Sequence, residues 1–183
     1  MIRLADILFS LTGLVLGAPF LLLIYCIGLF DTGAPLFFQE RVGRNRKPFT
    51  LVKFRTMHID TVSVASHLAS RSSITRLGAL LRKTKLDELP QLWNVLKGEM
   101  SLVGPRPGLF NQKQLMHERS IRKVFESRPG ITGLAQVSGI DMSTPELLAK
   151  TDAEMLKQLT LSYYFKLLFM TALGKGQGDR IRL

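Results

Sequence analysis

Two adjacent carboxylates, Asp87 and Glu88, interrupt a strongly basic chain at the start of an apolar segment with helical spacing. Proline is harmless in a helix only in the first turn, so Pro90 predicts a helix that begins near Asp87. Both carboxylates would then lie at the positive end of the helix, where they stay ionised and where phosphate oxygens also bind. The pair is therefore the first candidate for chemistry, and simple N-capping by Asp87 is the alternative.

A stiff loop follows this helix. Prolines on both sides of Arg106, at positions 105 and 107, fix the backbone around it. Arginine suits bidentate recognition of phosphate, so Arg106 is a better candidate for an anion site than the mobile cations elsewhere. An ordinary proline-bounded connector is the alternative.

The composition predicts an anionic partner. The 183 residues carry 25 Lys and Arg against 14 Asp and Glu, a formal net charge of +11. Nucleic acid, an acidic membrane surface and phosphorylated small molecules all fit this charge. One cysteine, Cys26, excludes a disulfide within the chain, and the three histidines lack the spacing of a zinc site.

The N-terminal segment from Leu4 to Phe30 is nearly all apolar, and its ~24 to 27 residues suffice to cross a bilayer. Pro19 at its centre predicts a kink or a break. Cations flank the segment on both sides, with Arg3 before it and Arg41, Arg44, Arg46, Lys47, Lys53 and Arg55 after it. Positive charge at both ends favours a re-entrant membrane helix, residues 1–32, broken at Pro19 with both ends in the cytoplasm. A kinked spanning helix and a buried core helix are the alternatives.

Residues 33–183 predict a cytoplasmic, interfacial domain. Residues 36–42 and 49–56 read as a small, basic β-hairpin suited to lipid headgroups. Amphipathic helices are predicted around residues 74–83, 112–126 and from Pro145 onward, and residues 163–170 form an apolar interfacial or core-closing helix. The predicted fold class is α+β, mostly helical, in a monotopic membrane protein.

Five stretches together resemble the bacterial sugar transferase family, the monotopic phosphoglycosyl transferases. They are FQERVG at 38–43, KFRTM at 53–57, RKTKLDELPQL at 82–92, NVLKGEMSLVGPRP at 94–107 and RPGITG at 128–133. The resemblance runs in the family's order over nearly the whole chain.

The resemblance implies transfer of a sugar 1-phosphate from a UDP-sugar, commonly N-acetylated, to undecaprenyl phosphate, with release of UMP. This would be the first membrane step of surface glycan assembly, at the cytoplasmic face of the bacterial inner membrane. The family's acidic pair maps onto Asp87, as the nucleophile that forms an acyl phosphate, and onto Glu88, as the supporting carboxylate. Mg²⁺ is the implied cofactor, with both carboxylates as ligands.

The resemblance maps phosphate ligands onto Arg82 and Arg106. Lys53 and Arg55 of the hairpin and Arg128 of the RPGITG stretch complete the candidate phosphate-binding set. The less family-like residues 60–73 and 139–151 are expected to help choose the sugar.

The implied partners are a UDP-sugar, undecaprenyl phosphate and membrane lipids, with no nucleic acid, and no oligomeric state is predicted. Two other functions compete with this one. A basic membrane-surface binding module would need the acidic pair only as a cap. A hydrolase of lipid-linked diphosphates would use the pair to activate water.

Overall fold

A computed structural model describes residues 1–61 and 71–174. Part of the predicted sugar-choosing segment, residues 62–70, lies outside the described residues. The α-helices are α1 (Ile2–Thr32), α2 (Arg76–Thr84), α3 (Gln91–Lys97), α4 (Lys113–Ile121), α5 (Leu134–Val137), α6 (Pro145–Lys157) and α7 (Leu161–Ala172). The strands are β1 (Leu36–Val42), β2 (Pro48–Phe54), β3 (Ser101–Val103) and β4 (Gly130–Thr132). The predicted class, α+β and mostly helical, is confirmed.

The predicted hairpin is confirmed as the antiparallel pair β1 and β2, in register from Leu36 opposite Phe54 to Val42 opposite Pro48. Alternation along β2 turns one face inward, as the strand period requires. The main apolar cluster joins this face to α3, β3, α6 and α7 through Phe49, Leu51, Val95, Met100, Leu102, Val103, Met155, Tyr164 and Leu167.

A second, parallel pair of strands was not predicted. β3 pairs with β4, with Ser101 opposite Gly130 and Val103 opposite Thr132. A Cβ at Gly130 would lie 2.0 Å from the backbone nitrogen of Gly104, so glycine is needed for the two backbone segments to approach each other. This pairing sets the loop that carries Arg106 beside β4.

Helix α1 continues through Pro19 without an interruption of its helical structure. The expected break into two half-helices is therefore corrected to one helix that contains the proline. Proline lacks one backbone donor, and the helical structure of the 31 residues of α1 continues on both sides of it. Only 11% of its most apolar 18-residue window is buried, so α1 is not a buried core helix. By length and composition it could cross a membrane, and its re-entrant course stays a prediction.

Asp6 ties the start of α1 to the rest of the protein. Its Oδ1 atom accepts hydrogen bonds from Ser101 Oγ at 2.9 Å, Leu102 N at 2.9 Å and Tyr164 Oη at 2.8 Å. Asp6 is 2% exposed. Burial and the Asp6 carboxylate together hold the pKa of Tyr164 well above its ordinary value. The Asp6 carboxylate thus holds the start of this apolar helix against β3 and α7.

The end of α1 contacts the same body. Asp31 Oδ2 accepts a hydrogen bond from Thr75 Oγ1 at 2.7 Å, and Gly28 packs against Pro35. Both ends of α1 therefore contact the same domain.

Candidate active site

The acidic pair lies on a short 3-10 turn, Leu86–Glu88, between α2 and α3. Lys85 ends α2 with φ 59° and ψ 16°, a left-handed conformation that turns the chain into the 3-10 turn. Asp87 and Glu88 are both buried, at 5% and 8% exposed. The predicted helix start is corrected, because Pro90 is the N-cap residue of α3 and the pair precedes the helix. The N-cap residues of the turn and of α3 are Lys85 and Pro90, so Asp87 occupies neither N-cap position.

The loop after β3 aims Arg106 at this pair. Arg106 Nη2 donates to Glu88 Oε1 at 2.7 Å, in a contact that is largely shielded from solvent. A charge-assisted hydrogen bond of this length fixes both side chains. The backbone is also held, since Arg119 Nη1 donates to the carbonyl oxygen of Arg106 at 2.8 Å.

Arg119 is held in turn by a buried carboxylate. Its Nε and Nη2 atoms both donate to Asp152 Oδ2, at 3.0 and 2.7 Å. The two residues are 2% and 0% exposed. Burial raises the pKa of Asp152, and the Arg119 cation opposes that rise. The pair joins α4 to α6 beneath the loop, and sequence reasoning missed it because no local pattern marks partners 33 residues apart.

Arg82 and Lys53 lie on the two elements that adjoin the acidic turn. Arg82 is on α2, which leads directly into the turn, and its Nε donates to Thr56 Oγ1 at 2.9 Å. Lys53 is on β2, which packs against the turn. It is 8% exposed, and its Nζ lies 5.5 Å from the centroid of the Phe37 ring. The elements that carry these two predicted phosphate ligands thus adjoin the pair, and phosphate binding by either residue stays a prediction.

Arg55 and Arg128 both donate to backbone carbonyls, and Arg55 lies over the same Phe37 ring as Lys53, with 5.4 Å between its Cζ and the ring centroid. Arg55 Nε donates to the carbonyl oxygen of Ala34 at 2.8 Å, at the connection from α1 to β1. Arg128 Nε donates to the carbonyl oxygen of Gly98 at 2.8 Å, at the C-terminus of α3. The acidic pair lies beyond the other end of this helix, which is about 10 Å long. Phosphate binding by either arginine stays a prediction.

A cavity of about 370 Å³ opens beside the acidic turn, and Lys85, Glu88 and Arg106 contribute to its lining. Burial lowers the pKa of Lys85, Glu88 raises it, and Arg106 lowers it. Sequence reasoning did not single out Lys85, although its position two residues before Asp87 was a usable signal.

The pair also fits the chemistry of Mg²⁺. Asp87 and Glu88 offer hard carboxylate oxygens, and Mg²⁺ is commonly held by one or two carboxylates together with substrate phosphates and water. Among residues 1–61 and 71–174, no cluster of three or more His, Cys, Asp or Glu could hold a metal by itself. A metal at this pair would therefore depend on substrate oxygens for the rest of its ligands.

Comparison with known proteins shows the family to which a chain with these motifs belongs. A sequence model of the bacterial sugar transferase family matches residues 1–175. The chain belongs to this family. The resemblance of the five stretches is therefore confirmed, and the match includes both the acidic turn and the Arg106 loop.

Three relatives are named as transferases or phosphotransferases that act with a lipid carrier or undecaprenyl phosphate. The chain is 36% identical over 186 residues to a UDP-galactose-lipid carrier transferase of Erwinia amylovora, covering 92% of this chain and 39% of the relative. It is 41% identical over 170 residues to an undecaprenyl-phosphate glucose phosphotransferase of Komagataeibacter xylinus, covering 88% of this chain and 31% of the relative. It is 34% identical over 187 residues to an undecaprenyl-phosphate galactose phosphotransferase of Salmonella typhimurium, covering 93% and 39%. The chain thus spans less than two-fifths of the length of these relatives.

Proposed function

We propose that the chain transfers a sugar 1-phosphate from a UDP-sugar to undecaprenyl phosphate and releases UMP. The observation that carries this proposal is the buried carboxylate pair, with Arg106 on Glu88 and Lys85 beside it. A carboxylate approaches an anionic diphosphate only where fixed positive charge offsets the repulsion. The names of the relatives support the lipid acceptor and the class of reaction.

In the proposed first step, a carboxylate oxygen of Asp87 attacks the phosphorus that bears the sugar. The new bond forms as the bond from that phosphorus to the bridging oxygen breaks, and UMP leaves with the bridging oxygen. In the second step, an oxygen of undecaprenyl phosphate attacks the same phosphorus. The bond to Asp87 breaks, and its carboxylate is restored for the next cycle.

The contacts support different roles for Asp87 and Glu88. Glu88 Oε1 is engaged by Arg106 at 2.7 Å, which suits a supporting role more than attack on phosphorus. Glu88 can also receive the proton of the lipid phosphate. Arg82 and Lys53 flank the turn and would meet the phosphates of the donor. When bound, Mg²⁺ supplies further neutralisation of the diphosphate, and Asp87 and Glu88 would hold it.

The proposal includes attachment to the cytoplasmic face of the bacterial inner membrane through a re-entrant α1. Both ends of α1 contact the same domain, near Asp6 and near Asp31. A helix that spans the bilayer perpendicular to it would carry one end away from that domain. Cysteine scanning with a membrane-impermeant reagent in spheroplasts tests this course, because labelling of either end from the periplasmic side would contradict it.

The reaction is tested with the full chain in nanodiscs, Mg²⁺, undecaprenyl phosphate and labelled UDP-sugars. We expect acceptor-dependent turnover, with at most a stoichiometric burst of UMP when the acceptor is left out. A hydrolase would turn over without acceptor, and a binding module would release no UMP. A panel that includes N-acetylated and unmodified UDP-sugars tests the expectation of an N-acetylated substrate.

The decisive variant is Asp87→Asn, which keeps the shape of the side chain and removes the nucleophile. We expect it to abolish both turnover and the burst while the melting temperature stays close to that of the wild type. Glu154→Gln, an exposed position on α6, is the control for loss of one carboxylate charge. Turnover that survives in Asp87→Asn would refute the covalent route.

A further inference from the structure

The cavity beside the acidic turn has a predominantly apolar wall. Leu89 and Leu92 contribute from the α3 region, Leu102 from β3, Ile131 from β4, and Leu168 and Ala172 from α7. Its volume of about 370 Å³ is in the ordinary range for small-ligand pockets, about 300–1,000 Å³. An occupant of this part of the cavity meets hydrocarbon on several sides.

The uncharged polar residues of the lining offer little to a polar ligand. Thr132 Oγ1 and Thr171 Oγ1 hydrogen-bond each other at 2.6 Å, and Thr171 Oγ1 also donates to Leu167 O at 3.0 Å. Thr84 Oγ1 donates to the carbonyl of Leu80 at 2.9 Å. Because these hydroxyl protons are already used, a sugar or a nucleobase would gain no donor from them to replace the water it loses, which costs free energy.

Gln136 also contributes to the lining, but its carboxamide is withdrawn. Both its Oε1 and Nε2 atoms are buried, with no hydrogen-bond partner among the residues that the structure describes. A ligand could reach them only after the side chain turned outward. As placed, Gln136 adds no accessible polar group to the wall.

The charged groups of the lining are gathered in one cluster. Glu88 and Arg106 form an ion pair at 2.7 Å, and Lys85 lines the same cavity. The cavity therefore combines a site for an anion with a hydrocarbon-lined space. This is the pattern of an amphiphile that has a phosphate at one end.

The apolar lining continues onto an exposed apolar surface of α7. Leu168 and Ala172 contribute to the cavity, while Phe165 and Phe169 on the same helix are 40% and 65% exposed, and Leu173, its C-cap residue, is 65% exposed. Large exposed apolar side chains on one short helix are typical of a surface that meets lipid. A chain that leaves the cavity along α7 would enter the bilayer without crossing water.

We propose that the apolar part of this cavity seats the isoprene units next to the phosphate of the polyprenyl phosphate acceptor, with that phosphate at the Lys85, Glu88 and Arg106 cluster. The inference rests on the proposed function and adds the place where the acceptor's hydrocarbon is bound. The remaining isoprene units lie in the membrane beside α7.

The test is Leu168→Phe, which narrows the cavity, with Ile121→Phe as the control at an exposed apolar residue of α4 outside the lining. We expect Leu168→Phe to raise the KM for undecaprenyl phosphate at least about fivefold. The KM for the UDP-sugar and the acceptor-free burst of UMP should stay within twofold of the wild type. (2Z,6Z)-Farnesyl phosphate should show the same loss, because it shares the Z-configured isoprene units next to the phosphate. Ile121→Phe should leave all of these values unchanged.

Other results overturn the inference. A rise in KM confined to the UDP-sugar, or equal for both substrates, would assign the cavity to the donor. No change for the acceptor, or a loss with undecaprenyl phosphate but not with (2Z,6Z)-farnesyl phosphate, would place the hydrocarbon next to the phosphate elsewhere. Gln136→Met is a second check, since a raised KM for the UDP-sugar would show that its carboxamide turns outward to read the donor.

Two further provisions keep the test decisive. If Leu168→Phe lowers the melting temperature strongly, Ala172→Phe makes the same measurement from the more exposed rim of the cavity. Absence of any acceptor-dependent UMP release in the wild type would refute the proposed function itself. Wild-type transfer that Leu168→Phe and Ala172→Phe leave unchanged would refute only the acceptor site.

Discussion

Arg119→Lys should impair transfer through Arg106, although Arg119 touches neither carboxylate of the pair. The guanidinium of Arg119 does two things at once: it pairs with Asp152 Oδ2 through two nitrogens and donates to the Arg106 carbonyl at 2.8 Å. A lysine ammonium keeps the charge but has no planar fork, so it cannot hold both partners in this geometry. The backbone carbonyl of Arg106 would then lose its hydrogen bond from residue 119.

The magnitude follows from these contacts. Removal of Arg119 to alanine would leave Asp152, which is 0% exposed, as an unpaired buried charge, at about 3–5 kcal/mol. Lysine avoids most of that cost. Loss of the hydrogen bond to the Arg106 carbonyl costs about 0.5–1.5 kcal/mol of stability. A shift of about 1 Å in a positioned group costs up to about 100-fold in rate. We therefore expect kcat/KM to fall about 10- to 100-fold, while the melting temperature falls by only a few degrees.

The assay is acceptor-dependent UMP release by four proteins: the wild type, Arg119→Lys, Arg106→Ala and the double variant. If Arg119 acts through Arg106, Arg119→Lys should change kcat/KM by less than about twofold once Arg106 is gone. The melting temperature should fall equally in both backgrounds. Arg122→Lys, next to α4 and paired with Glu118, is the control for the same chemical change. Equal fold losses of activity with and without Arg106 would refute the reasoning.

Three further predictions concern Lys85, Asp6 and Glu88. Burial lowers the pKa of Lys85 below 10.5, so the folded protein releases this proton at lower pH than the unfolded chain does. As the pH increases from the lowered pKa towards 10.5, the free energy of unfolding should therefore rise, whereas activity that needs the Lys85 cation should fall. In a pH profile of activity, Lys85→Arg should remove this alkaline loss. Asp6→Ala strands three hydrogen-bond donors and should lower stability by about 2–5 kcal/mol in denaturant unfolding, whereas Asp6→Asn retains an acceptor and should cost clearly less. Glu88→Gln should raise the Mg²⁺ concentration for half-maximal activity about tenfold or more, and an unchanged Mg²⁺ titration would remove Glu88 from the metal site.

Local patterns were enough for much of the fold. The hairpin could be predicted because β1 and β2 are neighbours in sequence and rich in strand-forming residues, and their pairing needs only a short turn. The helix from Pro145 could be predicted because Thr144 and Pro145 mark its start. The start of α3 was misplaced because the pattern of leucines does not distinguish a 3-10 turn from the first turn of an α-helix.

The sequence by itself determined the chemical parts: an acidic pair in a basic chain, a proline-bounded arginine, an apolar N-terminal segment and the motifs of a family. Tertiary structure alone decided how those parts are held. The Arg119 and Asp152 pair, the β3 and β4 pairing and the cavity wall are made by elements distant in sequence. Asp6 and Tyr164, in contact at 2.8 Å, are separated by 158 positions. Such contacts leave no local periodicity, because their stabilisation comes from burial and complementary hydrogen bonds that exist only after the chain has folded.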